Sequence, residues 1–147
     1  MADESRQETF SADEKKAMKE AAAEFRRLAK RSKDEAGKAQ DLADVLAAIE
    51  KLPEPDRSLA AQVHHIVTTS APQLNPRTWY GFPAYYLDGK LVTFFQYASK
   101  FKARYSTLGF ADNANLDDGS MWPVAFAVIN IDAATEEQIV DLVKRAI

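Results

Sequence analysis

Arg77-Thr78-Trp79-Tyr80-Gly81-Phe82-Pro83-Ala84-Tyr85-Tyr86-Leu87-Asp88-Gly89-Lys90-Leu91-Val92-Thr93-Phe94-Phe95 decides the fold. Asp88-Gly89 separates two runs rich in aromatic and β-branched residues, a strong hairpin signal. Gly89 takes the positive φ that a tight turn needs, and Asp88 tolerates it. The hairpin is expected from about Thr78 to Tyr97. Its first arm reads as one strand, with Gly81 and Pro83 bracketing Phe82. That pattern predicts a kinked edge strand, because proline cannot donate to a ladder and glycine marks a bulge. The same kink can shape a pocket lined by Trp79, Tyr80, Tyr85 and Trp122, with the tyrosine hydroxyls as polar tips. On a single strand Trp79 and Tyr85 share a face, while Tyr80 and Phe82 take the other.

Eleven of the fifteen aromatic residues lie between Trp79 and Phe110, so this region supplies the core, a binding surface, or both. Beyond the hairpin, Lys100-Phe101-Lys102-Ala103-Arg104-Tyr105 alternates strictly. It predicts a half-buried strand with Lys100, Lys102 and Arg104 on one basic face. That row reads either as a solvated face or as an anion or nucleotide site. Gly109–Ser120 is expected to be a loop. Its Asp112, Asp117 and Asp118 offer oxygen ligands to a hard cation or iron, or serve only as turn residues. Met121–Ile131, opened by Trp122-Pro123, predicts a further strand.

Helices flank this region. Ser11-Ala12-Asp13-Glu14 and Thr135-Glu136-Glu137-Gln138 are capping-box patterns. The first precedes a narrow stripe of Met18, Ala21, Ala22, Phe25, Leu28 and Ala29. Arg31–Lys38 is polar, contains Gly37 and reads as a break. Leu42, Val45, Leu46, Ile49 and Leu52 predict a second helix that Pro53 stops. Leu59, Val63, Ile66 and Val67 predict a third, opened near Pro55 and bounded by Pro72. The last helix carries Ile139, Leu142, Val143 and Ala146. Helices, a run of strands and a closing helix make an α+β layout: two layers, with helices on an antiparallel sheet.

The chain has 147 residues and a net charge of −3, with 46% apolar and 28% charged residues. One domain with a single core is expected, and the acidic balance argues against nucleic acid as a partner. With no cysteine, thiolate metal sites and a cysteine nucleophile are excluded. No run of apolar residues is long enough to span a bilayer, and the polar N-terminus lacks a signal-peptide pattern, so a cytoplasmic location is expected. There is no Gly-x-Ser-x-Gly elbow and no glycine-rich phosphate loop. His64 and His65 diverge on their helix and cannot both face one metal.

Ile49-Glu50-Lys51-Leu52-Pro53-Glu54, Ser70-Ala71-Pro72, Trp79-Tyr80-Gly81-Phe82-Pro83-Ala84-Tyr85, Asp88-Gly89-Lys90 and Leu142-Val143-Lys144 together resemble the bacterial YdhG-like domain family. Some members of that family are described as frataxin-like intracellular iron chaperones. The resemblance spans residues 39–147 and leaves residues 1–38 as an N-terminal helical extension. It implies a two-layer α+β fold and a non-enzymatic protein that binds iron or another small ligand. The alternatives are a protein-interaction module that self-associates through the first helix, or an enzyme whose site is unrecognised.

Overall fold

A computed structural model describes residues 10–147. Among the described residues four α-helices are formed: α1 (Ala12–Ala29), α2 (Glu35–Glu50), α3 (Asp56–Ser70) and α4 (Ala133–Ala146). The strands are β1 (Asn75–Trp79), β2 (Phe82–Leu87), β3 (Lys90–Gln96), β4 (Ser106–Phe110) and β5 (Ala125–Val128). They form one antiparallel sheet in the order β1-β2-β3-β4-β5, a meander of neighbouring strands. The fold is two-layer α+β. Val45 and Ile49 of α2, Leu52 just beyond it, Leu59, Val63, Ile66 and Val67 of α3, and Ile139 and Val143 of α4 pack on Tyr85, Phe95, Leu108, Phe110 and Val128. Each fully buried large apolar side chain there contributes about 1.5–3 kcal/mol relative to exposure.

The hairpin at Asp88-Gly89 forms as expected, with φ of 51° and 78°. The preceding arm does not form one kinked strand. Tyr80 and Gly81 also have positive φ, 51° and 76°, and make a second two-residue turn between β1 and β2. Both residues positive is the geometry that matches the right-handed twist of paired strands. Pro83 then lies in an interior strand, opposite Thr78. The pair that closes the turn, Trp79 with Phe82, exchanges the hydrogen bonds in such a hairpin. The next pair does not, so β1 does not miss the Pro83 N–H. The turn also reverses the expected facing. Trp79, Phe82 and Ala84 share one side, and Tyr85 lies on the other.

The alternating segment Lys100–Tyr105 is not a strand. Ala98–Phe101 is a 3-10 turn closed by Lys102 at φ 53°. Asp56 accepts from the Ser99 N–H at 3.0 Å, and the Ser106 hydroxyl accepts from the Ala98 N–H at 3.1 Å. These tertiary bonds win over a local alternation whose apolar members, Phe101 and Tyr105, remain exposed. The last strand is shorter than the expected Met121–Ile131, with Val124 and Ile129 facing solvent.

Ser11 caps α1 through the Glu14 N–H, as its capping box predicts. Its buried stripe is rotated from the expected one: Ala17, Ala21, Glu24 and Leu28 are buried, whereas Met18 and Phe25 face solvent. Leu42 and Leu46 of α2 are likewise exposed. The expected break at Arg31–Lys38 forms but is shorter, residues 30–34, and α2 already begins at Glu35. Asp34 caps α2, accepting from the Gly37 N–H at 3.0 Å, and Gly37 lies inside the helix against the Ser32 backbone. The last helix starts at Ala133, because Asp132, a stronger cap than threonine, accepts from the Thr135 N–H at 2.8 Å. No helix among the described residues is long and apolar enough to cross a membrane.

Candidate functional site: a basic cleft between the first two helices and the sheet

Most of the expected aromatic site does not assemble. Tyr85 is wholly buried, and its hydroxyl lies 2.9 Å from His64 Nδ1. Burial drives the Tyr85 pKa far above its ordinary value. Trp79 packs between Tyr80 and Phe94, with centroid distances of 4.7 and 4.6 Å. Trp122 lies elsewhere, in a groove of about 260 Å³ with Leu116, Asp118 and Arg145. Tyr80 and Lys100 do meet, beside the β1–β2 turn. The basic row is dispersed by the 3-10 turn: Lys102 faces Asp13 at 3.7 Å and Arg104 stacks on Tyr105. Asp112, Asp117 and Asp118 are all exposed, and among the described residues no three His, Asp or Glu side chains gather to hold a metal ion.

A cleft of about 580 Å³ opens instead where the end of α1 and the start of α2 meet β1, β2 and the Asp88-Gly89 turn. Asn75, Arg77 and Tyr86 reach it from one side of the sheet, since the register pairs Asn75 with Tyr86 and Arg77 with Ala84. Arg31, Lys33 and Lys38 supply the opposing wall. Four cationic side chains thus face two carboxylates, Asp41 and Asp88, in a chain that is acidic as a whole.

The arginines are held in place. Arg31 Nη1 donates to Asp41 and to Asp44, each at 2.7 Å, and Arg27 donates to Asp44 at 3.0 Å. Those bonds from Asp44 and Asp41 raise the Arg31 pKa further. Burial pushes the Asp44 carboxyl up, but its bonds to Arg31, Gln40 and Arg27 outweigh that and lower it. Arg77 Nη2 donates to the Leu28 carbonyl at 3.0 Å, pinning the end of α1 to the sheet. Arg77 Nε is different. It is buried, lies 3.8 Å from Asp41 and has no hydrogen-bond acceptor. A buried guanidinium N–H without an acceptor is costly, of order 1–3 kcal/mol. Beside it, burial holds the Tyr86 hydroxyl above its ordinary pKa despite the nearby Arg77, so it remains a hydrogen-bond donor.

This arrangement is suited to an anion, for which a planar guanidinium and a phenol are directional donors. None of its residues was a candidate in the sequence. Arg31 and Lys38 fall in a stretch that reads as a polar break, and Arg77 looks like an ordinary charged strand end. The cap Asp34 was the one available signal that this stretch makes a tight corner. Compared with known protein families, curated proteins and solved structures, the chain matches none.

Proposed function

We propose that this protein binds a small organic anion, a carboxylate or phosphate, in the cleft of Arg31, Lys38, Arg77 and Tyr86. The observation that carries the reading is Arg77 Nε, a buried cationic donor without an acceptor beside a basic cleft. Arg31 and Arg77 are oriented before any ligand arrives, so little ordering opposes binding. Specificity would come from the Tyr86 hydroxyl and the Asn75 amide at the floor, and the lysines would draw in charge.

Thermal unfolding with a panel of inorganic phosphate, citrate and small mono- and dicarboxylates tests this. A ligand that prefers the folded state must raise Tm as its concentration rises. At least one anion is expected to do so at millimolar concentration, and Arg77→Gln to abolish the shift. No shift with any of the panel would overturn the reading. Ferrous ion, the ligand implied by the resemblance to YdhG-like domains, is the comparison. A shift with iron alone, lost on asparagine substitution at Asp112, Asp117 and Asp118, would favour iron handling instead. Self-association through α1 is a second reading, favoured by the exposed Met18 and Phe25 on that helix. It predicts a mass that rises with concentration and falls to the monomer in Met18→Lys/Phe25→Lys.

A further inference from the structure

The sheet has two edges, β1 and β5, and the chain treats them differently. On β1 the backbone groups that point outward belong to Pro76, which has no N–H, and to Thr78, which is buried with α2 packed against the strand. On β5 the Val124 carbonyl accepts from the Phe110 N–H at 2.8 Å, and the same register sets Leu108 opposite Phe126 and Ser106 opposite Val128. Bonded and unbonded pairs alternate in an antiparallel ladder, so Val124, Phe126 and Val128 bond inward to β4. The N–H and C=O groups of Ala125 and Ala127 therefore point outward. Both residues are exposed, and among the described residues no strand or loop backbone pairs with them on that side.

The side chains along this edge do not discourage pairing. An edge strand is ordinarily blunted by lysine or another charge. Here no charged residue occurs from Gly119 to Ile131, and Pro123 stands before the strand rather than in it. Met121, Val124 and Ile129 are exposed around it. On the helix side of the strand, Phe126 lines the groove of about 260 Å³ together with Trp122, Pro123 and Leu142.

We propose that β5 docks a second copy of this chain, paired antiparallel about a two-fold axis at Phe126. A two-fold joins the same patch on both subunits, so the patch must be complementary to itself. This edge is. Hydrogen bonds run between Ala125 of one copy and Ala127 of the other, in both directions. Phe126 then faces Phe126 of the second copy in the non-hydrogen-bonded position, where Cα atoms approach to about 4.5 Å and side chains pack closest. Val124 of each copy lies opposite Val128 of the other. No like charges meet within the paired stretch, and both Phe126 rings lie on the helix side, beside their grooves. An axis at Ala127 is disfavoured, since it needs Ile129 in the strand and the chain bends there. So short a pairing buries less than the roughly 1,200 Å² of a stable complex, so the dimer is weak, with Kd on the order of 100 µM.

Sedimentation equilibrium of the full chain on either side of that Kd tests this, with the mass expected to rise towards the dimer. Ala127→Pro removes only an outward N–H and leaves the β4 ladder whole, so it should be folded and monomeric; Ala127→Lys should do the same by charge. Met18→Lys/Phe25→Lys should still dimerise, which separates this edge from α1. A constant monomer mass at about 1 mM, tenfold above that Kd, would overturn the proposal. So would a dimer that persists in both folded Ala127 variants, or one that is lost in the Met18→Lys/Phe25→Lys variant. Cysteine, which the chain lacks, reads the axis separately. Under mild oxidation Phe126→Cys should join copies about tenfold faster than Ala127→Cys, although position 127 is the more exposed, because only position 126 meets itself within disulfide reach. Joining at 127 as fast as at 126 would overturn the proposed pairing.

Discussion

Gly37→Ala sets two effects of opposite sign against each other at the corner that forms the basic cleft. Gly37 is inside α2, where alanine is intrinsically better by about 1 kcal/mol. A Cβ there would lie 2.8 Å from the Ser32 carbonyl carbon, 3.0 Å from its hydroxyl oxygen, and deep inside the contact radius of its carbonyl oxygen. Backbone cannot swing aside as a side chain can, so the Arg31–Asp34 corner must move. Overpacking of this kind costs roughly 1–3 kcal/mol. The Asp34 cap on the Gly37 N–H, worth about 1 kcal/mol, is strained with it. The steric and capping losses outweigh the propensity gain, leaving a net destabilisation of about 2 kcal/mol. Urea unfolding followed by circular dichroism should show a midpoint lower by about 1 M at unchanged slope, and Tm should fall by roughly 6 °C. Anion affinity should fall too, because Arg31 and Ser32 move. A variant as stable as the parent, or more so, would refute the close approach of Ser32 to α2.

Two further outcomes are expected. Burial, with a smaller contribution from His65, lowers the His64 pKa below its ordinary value of 6.5. The folded state therefore favours the neutral ring, and its contribution is fully present above about pH 6.5 and lost as pH falls through the folded pKa. Urea midpoints between pH 7.5 and 5 should fall, and fall less in His64→Gln; equal slopes would exclude this group. Deleting residues 1–33 should leave a cooperative thermal transition at lower Tm, because the buried residues of α1 lie outside the main core cluster. A cut at 38 should do worse, since it removes the Asp34 cap and the first turn of α2. Loss of cooperativity on deletion to 33 would make α1 integral to the fold.

The α+β layout was legible because its determinants are local. The Asp88-Gly89 turn, the Ser11 cap, the stop at Pro53 and the stripe of Leu59, Val63, Ile66 and Val67 each depend on residues within a few positions of one another, and each forms as read. What failed depended on distant partners. Tyr80-Gly81 reads as a kink until the pairing of Trp79 with Phe82 makes it a turn, and that pairing moves Trp79 off the face of Tyr85. Lys100–Tyr105 alternates like a strand, but Asp56 and Ser106 capture its backbone from elsewhere in the chain. The basic cleft is the extreme case. Arg31, Asp41 and Arg77 carry no motif, and only packing of α1 and α2 against β1 brings their charges together and leaves one guanidinium N–H buried without an acceptor. Local chemistry writes the elements; a charge constellation spread over three of them exists only after they pack.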